Sequence, residues 1–248
     1  FFRLKGNKKL NDMKVIDDGF YLGSKKYGES SFISFILSRK NGLIKGFTRL
    51  SKKERNNFST LDKVTFAWNS KNTESLGYLK MDLHEISKKN ESSFILELIK
   101  ASTSELCLKC LPFWQKNIEI FNDIEILFDL KKIQHQDILV RYVWWEILFL
   151  KNLGYGLNLD NCAVSGATQD ICFISPKTGN AVSFKVGKKY ERKLFKIPKC
   201  FKTENNKVDL TDCIEGLNIT GFFLKKNFEK KYSNFIFRNE LIKKLKKI

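Results

Sequence analysis

The chain reads as α+β: a small five-stranded barrel at the amino end, followed by an α-helical domain into which a finger-like hairpin is inserted. Three observations predict this. Between Met13 and Asp82 lie five short runs rich in Phe, Ile, Val and Thr, parted by polar or glycine-containing turns. Beyond Asp82 the apolar residues recur at helical spacing. Residues 153–183 then have the layout of a small zinc module without the residues that would hold zinc. The expected division is an extension or upstream read-through at 1–12, where the chain opens on Phe1, a barrel at 13–83, and a helical domain at 84–248 with the finger at 155–187.

Strands are expected at 19–24, 31–37, 42–48, 63–69 and 76–81. Asn41-Gly42 between the second and third is a type I′ hairpin signal, in which both central residues take positive φ. Five strands in so short a span suit an OB-fold barrel. Phe94, Ile95, Leu98, Ile99, Leu106 and Leu108 then mark the apolar face of a first helix, with Asn90 or Ser92 as N-cap and Pro112 as its stop. A second helix is expected over 113–131 and a third over 136–153, closed by Gly154. After the finger come helices at 210–216, 218–230 and 238–247. No repeat or low-complexity linker separates the parts.

Within the finger, Cys162 is followed three places later by Ser165 rather than a second cysteine. Past the turn at 176–180, the returning strand offers Ala181, Ser183 and Gly187, with Cys172 left in the apolar stretch between. A tetrahedral site needs four thiolate or imidazole ligands, so a metal-free hairpin is expected and no cofactor.

The formal charge of +18 and pI near 9.6 point to an anionic partner such as nucleic acid. Lysine far outnumbers arginine, and Phe, Ile and Asn are also plentiful, which an AT-rich genome would give any protein, so charge alone leaves both readings open. The most apolar window, 138–150, is broken by Arg141 and Glu146, which excludes a membrane-spanning helix there. Arg3, Lys5, Lys8 and Lys9 precede no apolar run of signal-peptide length, so a cytoplasmic protein with reduced cysteines is expected.

The sharpest charge cluster lies in the barrel: Arg39, Lys40, Lys45, Arg49, Lys52, Lys53 and Arg55, opposed only by Glu54. Lys25, Lys26 and Tyr27 in the first turn form a second contact group. Cations beside exposed rings make a groove where a flexible phosphate backbone lies while its bases stack; Phe47 and Phe58 serve as such platforms or as core phenylalanines. Cys107-Leu-Lys-Cys110 falls mid-helix and reads as buried structural thiols. His84 and His135 have no paired ligand spacing, and Trp144-Trp145 reads as core. Acidic residues are scattered, and neither a phosphate-cradling loop nor a nucleophile elbow is present, so no catalytic residue is assigned. Two other readings stay open: an RNA- or ribosome-associated OB protein, and a divergent metal-dependent nuclease.

Several separated motifs resemble one family. Asp18-Gly19-Phe20-x-Leu22, Tyr27-Gly28-Glu29-Ser30-Ser31, Gly42-Leu43-x-x-Gly46, Trp68 and Leu76-Gly77 are similar to the opening of the RecO family of recombination mediators. Gly154-Tyr155-Gly156-Leu157, Cys162-Ala163, Gly166-Ala167-Thr168 and Ser175-Pro176-Lys177 resemble its zinc-finger region in versions that have lost ligands. The resemblance implies an OB-fold and a helical domain. It also implies binding of single- and double-stranded DNA, annealing of complementary strands, and action with RecR to help RecA replace single-strand binding protein. Contact with the acidic, Phe-ending tail of single-strand binding protein is implied for the helical part, with no residues carried across.

Overall fold

The computed structural model describes residues 13–29, 31–51, 54, 56–84, 93–129, 138–202, 208–228 and 234–248. The expected extension at 1–12 lies outside them. The chain divides into two compact units, Phe1–Ser92 with Thr103–Ile118, and Ser93–Ser102 with Glu119–Ile248.

The first unit is a closed barrel in the order β1-β2-β3-β5-β4, the OB-fold the sequence predicts. Its strands are β1 (Met13–Lys26), β2 (Ser31–Ser38), β3 (Gly42–Arg49), β4 (Lys63–Ser70) and β5 (Gly77–Leu83). The first is much longer than the expected 19–24, because it serves two partners. Met13–Phe20 pairs with β4 and Gly19–Lys26 with β2, the register shifting between Tyr21 and Gly23. Such a bulge lets one strand turn a barrel corner. Its polar first half, with Lys14, Asp17 and Asp18, hid it from a search for apolar runs.

Alternation places Val64, Phe66 and Trp68 of β4, and Leu79 and Met81 of β5, inside with Tyr21, Ile36 and Ile44. Trp68 is fully buried and donates its indole N–H to the Lys45 carbonyl at 3.1 Å. Closure comes from the parallel pairing Gly46↔Gly77 and Phe47↔Tyr78. A Cβ on Gly77 would stand 2.4 Å from the Trp68 ring, and one on Gly46 would stand 2.6 Å from Leu79 Cβ. The separated motif residues Gly46, Trp68 and Gly77 are thus one packing solution: two bare backbones meet over one indole.

The β2–β3 turn is not type I′. Ser38 pairs with Gly42, so Arg39–Asn41 form a three-residue connection, and Gly42 (φ 73°), not Asn41, takes positive φ. Asp17 sets this shape by accepting hydrogen bonds from the Ser38 hydroxyl (2.5 Å) and the Lys40 N–H (2.8 Å). A Cβ at Gly42 would come within 1.8 Å of the Gln115 carbonyl oxygen. Gly42→Ala therefore combines left-handed strain with a backbone clash and should cost at least about 2 kcal/mol in urea denaturation.

Helix α1 (Phe94–Cys110) contributes its first half to the second unit and its second half to the barrel unit. Its cap is Ser93, whose hydroxyl accepts the Leu96 N–H; the expected caps Asn90 and Ser92 lie outside the described residues. The second helix, α2, spans only Ile118–Leu127 rather than starting at 113. Phe113 instead bridges Leu43, the Trp114 N–H donates to the Leu43 carbonyl, and the Trp114 ring lies edge-on to Trp68 at 4.5 Å. Barrel packing overrides helical propensity there.

The second unit is built on α3 (Ile138–Asn152), closed by Gly154 at φ 83° as expected. A three-stranded sheet follows, ordered β7-β6-β8, from β6 (Ile171–Ile174), β7 (Ala181–Ser183) and β8 (Phe195–Lys196). The two helices expected at 210–216 and 218–230 are one, α4 (Leu210–Phe228). Gly216 is not a stop but a contact point, since its Cβ would lie 2.7 Å from Cys200 Sγ. The last helix is α5 (Ile236–Leu245).

Glu146 of α3, with no exposed surface, takes Arg238 Nε at 2.7 Å and Nη2 at 2.8 Å. Thr220 donates to the same carboxylate, and Arg238 also donates to the Leu217 carbonyl. This ties α3, α4 and α5 with charge-assisted, fork-shaped bonds.

Candidate nucleic-acid interface

Three rings stand in a row on the outer face of the barrel. The Tyr27 N–H donates to the Ser31 carbonyl, which fixes the β1–β2 turn. On β3, alternation turns Lys45, Phe47 and Arg49 outward; on β5 it turns Tyr78 and Lys80 outward. Tyr27 and Phe47 meet edge-on at 5.9 Å, and Phe47 and Tyr78 at 5.6 Å. Tyr27 is 55% exposed and Tyr78 67%, whereas Phe47 between them is half-buried. A groove lined by Phe47, Arg49, Asn69, Tyr78, Lys80 and the exposed carboxylate of Asp82 runs beside this row. Glu54 borders it as well, and its carboxylate is turned to Ser51. It accepts the Ser51 N–H at 2.8 Å while the Glu54 N–H donates to the Ser51 hydroxyl, a reciprocal capping pair. Bonds from Ser51, side chain first and backbone second, hold Glu54 below the ordinary carboxylate range.

The expected cations among the described residues fall in three places along the barrel. Lys25 and Lys26 lie opposite Ile33 and Phe32, and Arg49 lies opposite Ser31, so these three gather with Tyr27 at one end of the barrel. Lys45 sits midway, half-buried, with its ammonium 4.8 Å from the Phe113 ring centre. Arg39 and Lys40 occupy the far hairpin, seven strand steps or about 23 Å away. Their charge is partly answered there: Lys40 Nζ is 4.0 Å from Asp17, and Arg39 helps to lower the Asp18 carboxyl. Asp18 is held down first by a hydrogen bond from Thr65, against slight burial, then by His84 and Arg39. Lys52, Lys53 and Arg55 lie outside the described residues.

Phe58 takes the core alternative, packing on Tyr21 at 5.5 Å, while Phe47 lies on the outer face between Tyr27 and Tyr78. Tyr78 and Lys80 join this candidate face although the sequence pattern did not single them out. Strand alternation marked them as outward-facing, but only the β3–β5 pairing brings them beside Phe47.

In the finger, Gly166 N–H donates to the Cys162 carbonyl and Ser165 N–H lies 3.5 Å from Cys162 Sγ, a knuckle turn. Around that sulfur stand Ser165 and Ser183, and Val186 packs on the cluster of Cys162, Phe173 and Val182. Burial raises the Cys162 thiol, and bonds from Ser165 and Ser183 outweigh it, bringing the thiol to about 6. Two cysteines, Cys162 and Cys172, with serine hydroxyls and a valine are not the four thiolate or imidazole donors of a structural zinc site, so the residues do not fit the metal. Among the described residues no group of three or more His, Cys, Asp or Glu side chains is placed to hold a metal ion. Cys107 and Cys110 are not poised for redox work: burial pushes Cys107 far up and Cys110 up to about 12.

The second unit has a groove of its own between α2 and α3. Ile126, Leu127, Val140, Trp144 and Leu148 line it with Arg141, Asp123 and Asp129. Among the described residues, the indole N–H groups of Trp144 and Trp145 are buried without an acceptor. No described helix is long and apolar enough to cross a membrane.

The family model described as Recombination protein O N terminal matches residues 13–86, and that described as Recombination protein O C terminal matches residues 98–234. The chain is 34% identical to the DNA repair protein RecO of Ehrlichia chaffeensis, over 93% of this chain and 98% of that protein. It is 31% identical to the DNA repair protein RecO of Wolbachia pipientis wMel, over 86% of this chain and 92% of that protein. The corresponding protein of Rickettsia bellii is 28% identical over 86% and 89%.

Proposed function

The chain belongs to the RecO family, and from that premise we propose that it serves DNA repair by holding single strands on its barrel and annealing them. The observation that carries this is the row Tyr27–Phe47–Tyr78 flanked by Lys25, Arg49 and Lys80. Rings take the base faces and cations take the phosphates, which gives affinity with little sequence preference. No covalent bond has to change. Two strands repel, cations lower that repulsion, and base pairing then drives the product.

Affinity for oligo(dT), read by fluorescence anisotropy, should fall with salt at a slope of about −0.7 per phosphate neutralised. A flat salt response, or preference for structured RNA over oligo(dT) in competition, would overturn the reading. The finer family roles, acting with RecR to help RecA replace single-strand binding protein, extend the same proposal. Contact with the acidic, Phe-ending tail of single-strand binding protein belongs to the same extension, with no residues assigned to it, since the apolar α2–α3 groove sets Asp123 and Asp129 against Arg141 alone. The finger folds on its apolar cluster without zinc in this proposal, so a chelator should leave Tm unchanged; a drop of several degrees would contradict it.

A further inference from the structure

Residues 184–202 carry eight lysines and arginines against a single carboxylate, Glu191, and all eight are exposed. Their positions are built, not loose. A helical turn (Phe184–Gly187), a 3-10 segment (Lys188–Lys193), β8 and a second 3-10 turn (Lys199–Phe201) follow one another, and β8 is paired to β6. Beneath them Val186 and Leu194 pack on the Cys162, Phe173 and Val182 cluster. Gly187 lies so close to Phe173 that a Cβ would be 2.4 Å from its ring. Glu191 is bound to Lys196 at 2.8 Å, so the one carboxylate is already matched.

Rings accompany the charge here as well. Phe184, 47% exposed, stacks on Phe173 at 6.3 Å, and the Lys188 ammonium lies 5.4 Å from the Phe184 ring centre. Tyr190, within the 3-10 segment, is 58% exposed. Cations with accessible ring faces are the same chemistry as on the barrel, in a different unit of the chain.

We propose that residues 184–202 are a second polynucleotide-binding surface, gripping a single strand by its phosphates, so that one molecule holds two strands at once. This rests on the reading of the barrel as the first surface. It supplies what that reading lacks, since a single groove holds one strand and annealing needs two. The exposed rings favour a polynucleotide over an acidic peptide, because stacked bases use ring faces that a carboxylate-rich chain does not.

The test uses the full chain, its K188E/K189E/R192E/K193E variant and its Tyr27→Ala/Tyr78→Ala variant, all matched by circular dichroism and Tm. Donor- and acceptor-labelled oligo(dT), which cannot pair with each other, are mixed with each protein at low salt, and sedimentation selects complexes containing one protein. Wild type should bring the dyes together. The charge-reversed variant should bind one oligonucleotide within about threefold of wild-type affinity, lose the energy transfer, and anneal complementary strands at least tenfold more slowly. Energy transfer and annealing at wild-type levels in that variant would overturn the proposal. So would a variant whose only loss is binding of a polyaspartate probe, which would make the surface a peptide site. If instead the two-tyrosine variant binds normally while charge reversal abolishes all binding, the barrel reading falls and this surface stands as the principal one.

Discussion

Replacing both Tyr27 and Tyr78 with Ala should lower single-strand affinity at least about 30-fold while leaving the barrel folded. Each ring that loses a stacked base gives up about 1–3 kcal/mol, and 1.4 kcal/mol is tenfold in affinity. Both side chains are more than half exposed, so their removal opens no cavity in the core of Ile36, Phe66 and Trp68. Tyr→Phe at the same positions keeps the face and should keep the affinity. An unchanged anisotropy isotherm for the Ala pair, with unchanged far-ultraviolet circular dichroism, would remove these rings from the interface. Phe47 is the less clean target, because it also supports its two neighbours.

Arg238→Ala should destabilise the second unit by about 3–5 kcal/mol in chemical denaturation, the cost of leaving a buried carboxylate without its countercharge. The residue strips two bonds from Glu146, one from the Leu217 carbonyl and one shared with Thr220. Replacing both members, Glu146→Leu with Arg238→Met, should recover much of the loss, because two charges then leave the interior together. A single variant no worse than the double would show that the pair is solvated in solution.

The barrel was legible because its strands obey a period of two: Val64, Phe66 and Trp68 are buried and alternate with more exposed neighbours, as do Leu79 and Met81. Where another force set the outcome, the reading slipped. Asp17, a carboxylate that no apolar pattern registers, organises the β2–β3 turn and displaced the expected type I′ geometry. Phe113 and Trp114, helix-compatible by spacing, were claimed by the barrel instead. Gly216 looked like punctuation and proved to be a point of close approach. For the candidate site, composition pointed to Lys25, Lys26, Tyr27 and Arg49, but proximity in sequence joined them to Arg39 and Lys40, which strand length puts at the opposite end. Tyr78 could be found only through a parallel pairing between β3 and β5. The Glu146–Arg238 pair, ninety-two positions apart, left no local trace.

Trp114 reaches the barrel from beyond α1, and Trp68 receives it. An excised module that stops at the last barrel strand would therefore go without its own lid, with an uncovered indole and an unmatched Leu43 carbonyl at its mouth. A portable version has to carry the stretch through Ile118, or graft an equivalent plug, before its solubility says anything about the parent chain.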